Sequence, residues 1–195
     1  YLQVTTGHEF FHSVQFAYDV NFAYTNQGIN WAEATAVWME DELFDSIDDY
    51  VNYLPDFFDY PDYSVFSSIV PSGTLFEYGL NIWPHFLSEY YGDSTIKSIW
   101  ETYFASSLDY ENNLKLYEAV KDVLENEGDD LATAFQDFTL WNLNLSNYEE
   151  GGGYPGLFMI PDLTFGEYTQ IDEAYAPALY GTNYLYFENA GTHGD

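Results

Sequence analysis

A pair of histidines four residues apart, in the segment GHEFFHSVQF, constrains this chain more than any other feature. Residues four apart lie on one face of an α-helix, so His8 and His12 can direct ring nitrogens at one point if the segment is helical. Glu9 then stands beside that point. The HExxH pattern is typical of a zinc site in which the glutamate is the general base. The segment is predicted to form a helix from about Leu2 to Tyr18.

A third metal ligand is predicted in a second helical segment, NWAEATAVWMED, which contains Glu33. Zinc held by three protein ligands lowers the pKa of a bound water to about 7, which suits attack on a carbonyl. Two alternatives stay open. Asn30 is predicted to be the N-cap of a helix that runs to about Ile47. Glu33, three residues later, would then be a capping residue whose side chain accepts a hydrogen bond from the backbone N–H of Asn30. The two histidines could also be packed or solvated, with Glu9 a surface charge.

Composition predicts a packed and strongly acidic protein. Hydrophobic residues make up 47% of the chain and aromatic residues 21%, enough for one domain with its own core. The chain has 33 acidic residues and only three lysines, and its formal net charge of −30 repels nucleic acid and anionic membranes. This acidity fits solubility through self-repulsion, high salt, or the binding of divalent cations such as calcium. The sequence has no cysteine and no apolar segment long enough to span a bilayer.

Helical apolar spacing recurs along most of the chain and predicts a mainly α fold. Further helices are expected over 74–91, from Asp93 onward, over 114–124 and over 131–145. In the first of these, Pro84 is expected to mark a kink or a shifted helix start. The acidic, aromatic segment 45–63 is expected to be a loop. A flexible Gly-rich connector at 151–156 and strand-like runs at 163–168 and 184–187 follow. The predicted division is a helical domain at 1–150 and a β-containing extension at 151–195.

HEFFH followed by the pattern W-x-E-x-x-A around Glu33 resembles the gluzincin class of zinc metallopeptidases. This class includes thermolysin and the aminopeptidase N group and has many secreted bacterial relatives. The resemblance covers about residues 1–145. It implies a mainly helical catalytic domain in which His8, His12 and Glu33 bind zinc and Glu9 is the general base.

The resemblance implies two more site residues. The aminopeptidase group has a glutamate seven residues after the zinc glutamate that supports a zinc histidine, and Glu40 matches this spacing. Its alternative is a surface charge. The family also has a tyrosine that stabilises the oxyanion of the reaction, and it is expected in the segment FEYGLNIWPHF. The family's spacing falls on Phe76, so the candidate is the nearby Tyr78. The alternative is that Tyr78 is a tyrosine packed in the core. The sequence does not match the metzincins, another class of zinc peptidases with the HExxH motif, because Gln15 stands where they have a glycine and Tyr18 where they have the third zinc ligand.

The predicted function is zinc-dependent hydrolysis of a peptide or protein substrate. An endopeptidase is favoured because no anchor for a substrate amino terminus is visible. Zn²⁺ is the expected cofactor, and Ca²⁺ is a further candidate. The alternative function is a non-catalytic extracellular binding or assembly protein that keeps the gluzincin scaffold and binds calcium. A secreted or cell-surface location is expected, and a chain that opens so near the motif is expected to be a piece of a longer polypeptide.

Overall fold

The computed structural model describes residues 2–18, 26–67, 69–107, 116–157, 160–164 and 177–188. The α-helices in these ranges are α1 (Leu2–Tyr18), α2 (Asn26–Phe44), α3 (Leu54–Phe58), α4 (Phe76–Gly79), α5 (Ile82–Tyr91), α6 (Ser94–Ser107), α7 (Leu116–Glu127) and α8 (Leu131–Leu143). Short 3₁₀ helices cover Asp49–Tyr53, Leu145–Asn147 and Gly151–Gly153, and the strands are β1 (Ile160–Thr164) and β2 (Leu185–Glu188). The predicted mainly α fold is confirmed. None of the described helices is long and apolar enough to cross a membrane.

The first two helices pack side by side in opposite directions. Near the start of α1, a Cβ atom on Gly7 would stand 3.2 Å from Leu43 Cδ1 at the end of α2. Near the end of α1, Gln15 Nε2 donates to the carbonyl of Ala32 at 2.9 Å. Because glycine has no side chain, α1 and α2 approach closely at Gly7, next to His8.

An aromatic core lies beneath these helices. The fully buried ring of Trp83 in α5 stacks on Phe86 at 5.6 Å and meets Phe138 of α8 edge-on at 4.9 Å. Trp31 and Trp38 of α2 belong to the same buried cluster. Offset and edge-on aromatic pairs each add about 0.5–1.5 kcal/mol beyond the burial of their area. This packing holds α2 in place under α1.

The second helix begins earlier than predicted, so Asn30 is not its N-cap. α2 starts at Asn26 and ends at Phe44. Asn30 is buried, and its amide nitrogen donates to the carbonyl of Ser67 at 2.8 Å, so a tertiary contact explains the residue. Glu33 therefore lies two turns inside the helix, and the alternative in which it caps the helix is wrong.

The segment 45–63, predicted to be a loop, is helical over residues 49–58. It contains the 3₁₀ helix Asp49–Tyr53 and then α3, where Pro55 stands in the first turn and its missing N–H leaves no hydrogen bond broken. Tyr50 and Phe58 are buried. The aromatic residues of this segment form an apolar face that packs on the core, which a count of Asp, Tyr and Pro does not reveal.

The helix predicted over 74–91 is divided into α4 and α5. Pro84 stands in the first turn of α5, so the shifted start is the correct alternative. α5 ends at Tyr91, and the next residue, Gly92, caps it with a φ of 102°. At the end of α4, a Cβ atom on Gly79 would stand 2.6 Å from the carbonyl oxygen of Tyr53. Glycine at this position lets α4 pack directly on the preceding 3₁₀ helix, which fixes the neighbouring Tyr78.

The described part of 151–195 packs against the helices. The expected flexible connector is instead a 3₁₀ turn, Gly151–Gly153, followed by the buried Tyr154. Tyr184 is also buried and donates its hydroxyl to the carbonyl of Thr139 at 3.1 Å. β1 and β2 pair in parallel and overlap the two runs predicted as strands at 163–164 and 185–187, whereas 165–168 lie outside the described residues.

Candidate metal centre

Three side chains predicted to bind metal meet between α1 and α2. His8 Nε2 lies 3.0 Å from His12 Nε2 and 3.2 Å from Glu33 Oε2. His12 Nε2 lies 3.4 Å from the same carboxylate oxygen. His8 is buried and the other two residues are half-buried, so the three atoms that could bind a metal ion converge at the edge of the helix interface.

This donor set fits a zinc ion. Zinc takes four ligands in a tetrahedron, with imidazole nitrogens at about 2.0–2.1 Å and carboxylate oxygens at about 2.0–2.2 Å. Two ligand atoms of such a tetrahedron are about 3.3 Å apart. The observed separations of 3.0, 3.2 and 3.4 Å lie close to that value. Three protein ligands leave the fourth position for water or substrate, as in catalytic zinc sites.

Both histidines are oriented through the ring nitrogen that faces away from this point. His8 Nδ1 donates to Glu40 Oε1 at 2.7 Å, and His12 Nδ1 donates to Gln15 Oε1 at 2.7 Å. A carboxylate oxygen and an amide oxygen accept, so each Nδ1 carries its hydrogen. In its neutral form, each ring therefore directs its Nε2 lone pair toward the Glu33 carboxylate. Three acceptors this close together require a positive charge between them, supplied by a proton or a metal ion.

The charges of the site shift the pKa values of its members. Burial lowers the pKa of His8, but hydrogen bonds to Glu33 and Glu40 and their charges outweigh burial and raise the pKa to about 9. The hydrogen bond to Glu33 raises the pKa of His12 against the opposing effect of burial. Burial raises the pKa of Glu33, but the two histidines outweigh it and lower the pKa to about 2. Without a metal ion, His8 therefore holds a proton at neutral pH beside an ionised Glu33.

Zinc must displace this proton, so zinc binding should depend on pH. The raised pKa of His8 means that its proton stabilises the metal-free fold below pH 6.5 and that this stabilisation is lost as the pH rises through about 9. The apparent zinc affinity should therefore rise about tenfold per pH unit between roughly pH 6.5 and pH 8. Calorimetric titrations in buffers of different ionisation enthalpy should register about one or more protons released per zinc. Equal affinities at the two ends of this range would contradict the assignment.

Glu40, for which the resemblance implied a supporting role, lies against His8. Its side chain is buried, so the alternative of a surface charge is wrong, and it accepts a hydrogen bond from His8 Nδ1 at 2.7 Å. Glu33 and Glu40 are two helical turns apart, so both project from the same face of α2 toward His8. One carboxylate thus faces each nitrogen of the His8 ring.

Replacing Glu40 with glutamine should weaken zinc binding by about 10–100-fold, because a neutral amide polarises the His8 ring less and orients it less firmly. Competition with a coloured chelator measures this change. Glu42→Gln is the matched control, since Glu42 is exposed on the same helix, and it should leave the affinity unchanged. Equal zinc affinity in Glu40→Gln and wild type would show that Glu40 does not support the metal ligand.

Glu9, the predicted general base, lies on α1 directly after His8 and is exposed. Consecutive residues of an α-helix are rotated by about 100°, so Glu9 projects beside the face that carries the histidines. Its exposure leaves the carboxylate accessible to water and substrate, as a general base requires. The same exposure fits a surface charge, and hydrolysis by a Glu9→Gln variant separates the two interpretations.

Tyr78, rather than Phe76, lies at the site. Its ring stacks on the ring of His8 at 5.8 Å with 11° between the planes, whereas Phe76 is buried in the core. Burial raises the pKa of Tyr78 to about 12, and the charge of Glu33 and a hydrogen bond to it add to the rise. Tyr78 therefore keeps its proton at neutral pH and can donate a hydrogen bond to an oxyanion.

Two residues of the site were not predicted. Gln15 is buried and bridges the helices, since it accepts from His12 Nδ1 at 2.7 Å and donates to the carbonyl of Ala32 at 2.9 Å. The sequence feature that could have predicted this contact is a glutamine three residues after a histidine, because residues three apart lie on one face of a helix. Tyr53 places its ring 5.4 Å from that of Tyr78. No sequence pattern connects these two residues, because their contact depends on how the 3₁₀ helix packs on α4.

No protein-family model, curated protein or solved structure matches the chain. The resemblance to gluzincins therefore rests on the motif residues and on their arrangement in this fold.

Proposed function

We propose that the chain is a zinc-dependent peptidase of the gluzincin type. The observation that carries the proposal is the convergence of His8 Nε2, His12 Nε2 and Glu33 Oε2 at separations of 3.0–3.4 Å. Both histidines are held by hydrogen bonds at Nδ1, to Glu40 and Gln15, which turns both Nε2 atoms toward Glu33, where a metal ion would bind. Partly buried acceptors brought this close together are costly unless a proton or a metal ion lies between them.

Glu9 performs the proton transfers in this proposal. When held by the three ligands, zinc would acidify a water molecule and polarise the scissile carbonyl. Glu9 takes the proton of the attacking water and passes it to the leaving amine, so it acts as base and then as acid. Its exposed position beside the ligand face supports both steps, since water and substrate can reach it.

Tyr78 donates a hydrogen bond to the oxyanion that develops on the scissile carbonyl. Its ring lies between those of His8 and Tyr53, at 5.8 Å and 5.4 Å. A donor that is fixed in advance stabilises developing charge more than a mobile one, because it needs no reorganisation during the reaction. Glu40 and Gln15 act on the histidines alone and keep their rings in place.

The proposed substrate is an extended peptide or an unfolded protein that is cleaved within its chain. Beside Glu9, the exposed side of α1 carries Phe10 and Phe16, which are 66% and 45% exposed. Apolar side chains at this position suit contact with apolar residues of a peptide. A secreted or cell-surface location remains part of the proposal, supported by the net charge of −30.

Hydrolysis of an unfolded, fluorescently labelled protein tests the proposal. The zinc-loaded chain should release labelled peptides, a chelator should stop the release, and added zinc should restore it. The alternative of a calcium-binding assembly protein predicts no hydrolysis under any of these conditions. Intact protein and peptide substrates after incubation with a chain of verified zinc content would overturn the proposed activity.

A further inference from the structure

A second cluster of carboxylates lies at the end of α2, separate from the proposed zinc ligands. Asp41, Asp48 and Glu150 each present an oxygen within 4.8 Å of the other two. The three residues come from α2, from the turn that follows it, and from the turn before the last 3₁₀ helix. The two lysines of the described ranges pair with glutamates elsewhere, so neither ammonium group neutralises this cluster.

A buried histidine contacts Asp41 of this cluster through a ring nitrogen that makes no hydrogen bond within the described residues. His85 is 4% exposed, and its Nδ1 donates to the carbonyl of Asn81 at 2.8 Å, which places the hydrogen of the neutral ring on Nδ1. Within the described residues, His85 Nε2 makes no hydrogen bond, and it lies 3.5 Å from Asp41 Oδ2. In the neutral form of the ring this nitrogen carries a lone pair, and its contact with a carboxylate oxygen would bring two acceptors together, which is unfavourable.

A metal ion accounts for this contact better than a proton does. A protonated imidazole bonded to a carboxylate stands about 2.7–2.9 Å from it, whereas the observed distance is 3.5 Å. The other carboxylate oxygen, Asp41 Oδ1, is buried and also has no hydrogen bond within the described part of the chain. A cation bound by the imidazole nitrogen and the carboxylate oxygens would remove the cost of both buried acceptors.

Tyr50 connects the two sides of the cluster. Its buried ring stacks on that of His85 at 4.4 Å, and its hydroxyl donates to Glu150 Oε2 at 2.6 Å. Tyr50 therefore limits the motion of both the imidazole and this carboxylate before any ion binds. Such preorganisation lowers the entropic cost of binding.

We propose that Asp41, Asp48 and Glu150 form a second divalent-cation site, that His85 joins them as a nitrogen ligand when the ion binds, and that the site takes Mn²⁺ in preference to Ca²⁺. Carboxylate oxygens suit both ions, and an imidazole nitrogen favours the transition metal. The ion ties the end of α2 to two turns that are distant in sequence. Asp41 directly follows Glu40, so the site also steadies the stretch of helix that positions His8.

Manganese binding measured by electron paramagnetic resonance tests this proposal, in a His8→Ala/His12→Ala background that removes the first pair of metal-binding imidazoles. Because the background lacks those ligands, the outcome is independent of the peptidase proposal. We expect one Mn²⁺ per chain, with pulsed spectra that show nitrogen modulation from one imidazole. His85→Gln should abolish this modulation, and Asp48→Asn should weaken binding at least tenfold. Calcium should compete only at a large excess over Mn²⁺.

Two variants keep the result interpretable. Asp48 is exposed, so Asp48→Asn removes a charge without disturbing the core, and Asp59→Asn is its matched control because it removes an exposed charge outside the cluster. Asp59→Asn should bind Mn²⁺ as the background does. Equal binding by Asp48→Asn and Asp59→Asn would overturn the site. Binding without nitrogen modulation would overturn the assignment of His85 as a ligand.

Discussion

Replacing Glu9 with glutamine should reduce peptide hydrolysis by about 10²–10⁴-fold, because the amide cannot take the proton of the attacking water. Zinc content should not change, since Glu9 is exposed and is not among the three converging ligands. The free energy of unfolding should also stay the same, since surface substitutions away from special features change it by less than about 0.5 kcal/mol. Initial rates on a labelled peptide and metal analysis of the same sample measure both quantities.

Glu101→Gln is the matched control for this variant. Glu101 is an exposed glutamate of α6 and does not belong to the metal cluster, so its loss removes the same charge and should leave the rate unchanged. If Glu9→Gln hydrolyses the peptide at the wild-type rate, Glu9 is a surface charge and the activity needs another base. If both variants lose activity to the same extent, the overall charge of the protein is responsible.

Zinc should raise the midpoint of thermal unfolding by roughly 8–16 °C. Binding at about a thousandfold excess over Kd adds about 4 kcal/mol to the free energy of unfolding, and each kcal/mol moves the midpoint of a domain of this size by about 2–4 °C. The stabilisation arises because α1 and α2 supply ligands to one ion, so unfolding releases it. Thermal scans of the metal-free chain with and without zinc measure the shift.

His12→Ala should lose most of this shift, because it removes one of the three ligands. Ser13→Ala, an exposed neighbour on the same helix, is the control and should keep the shift in full. Zinc bound elsewhere on this acidic surface would stabilise both variants equally, so the difference between them reports the proposed site. A shift of equal size in His12→Ala and Ser13→Ala would show that zinc does not bind through His12.

The parts of the site that lie on one helix could be predicted from the sequence. The spacing of His8 and His12 and that of Glu33 and Glu40 follow from the period of the α-helix, and each pair shares a face in the structure. The role of Asn30 was predicted wrongly, because an asparagine before an apolar run suggests an N-cap whether or not the helix continues upstream. Its actual partner, the carbonyl of Ser67, is distant in sequence.

Contacts between separate segments could not be predicted in the same way. Tyr53 meets Tyr78 because Gly79 lets α4 pack against the 3₁₀ helix, and no local pattern encodes that approach. The burial of Tyr50 depends on packing against Tyr154, about a hundred residues away, with the two hydroxyls 2.9 Å apart. Sequence periodicity identifies the face of a helix, whereas the partner of that face is determined by the tertiary fold.

Metal analysis by mass spectrometry of wild type and Glu33→Ala, both purified and dialysed in parallel, tests the central claim most directly. Glu33 Oε2 lies 3.2 Å and 3.4 Å from the two histidine nitrogens, so its removal takes away one of three ligands. We predict that wild type and the exposed control Glu101→Ala each retain one equivalent of zinc per chain and that Glu33→Ala loses it. Equal zinc content in wild type and Glu33→Ala would contradict the proposed zinc centre and the hydrolytic activity that depends on it.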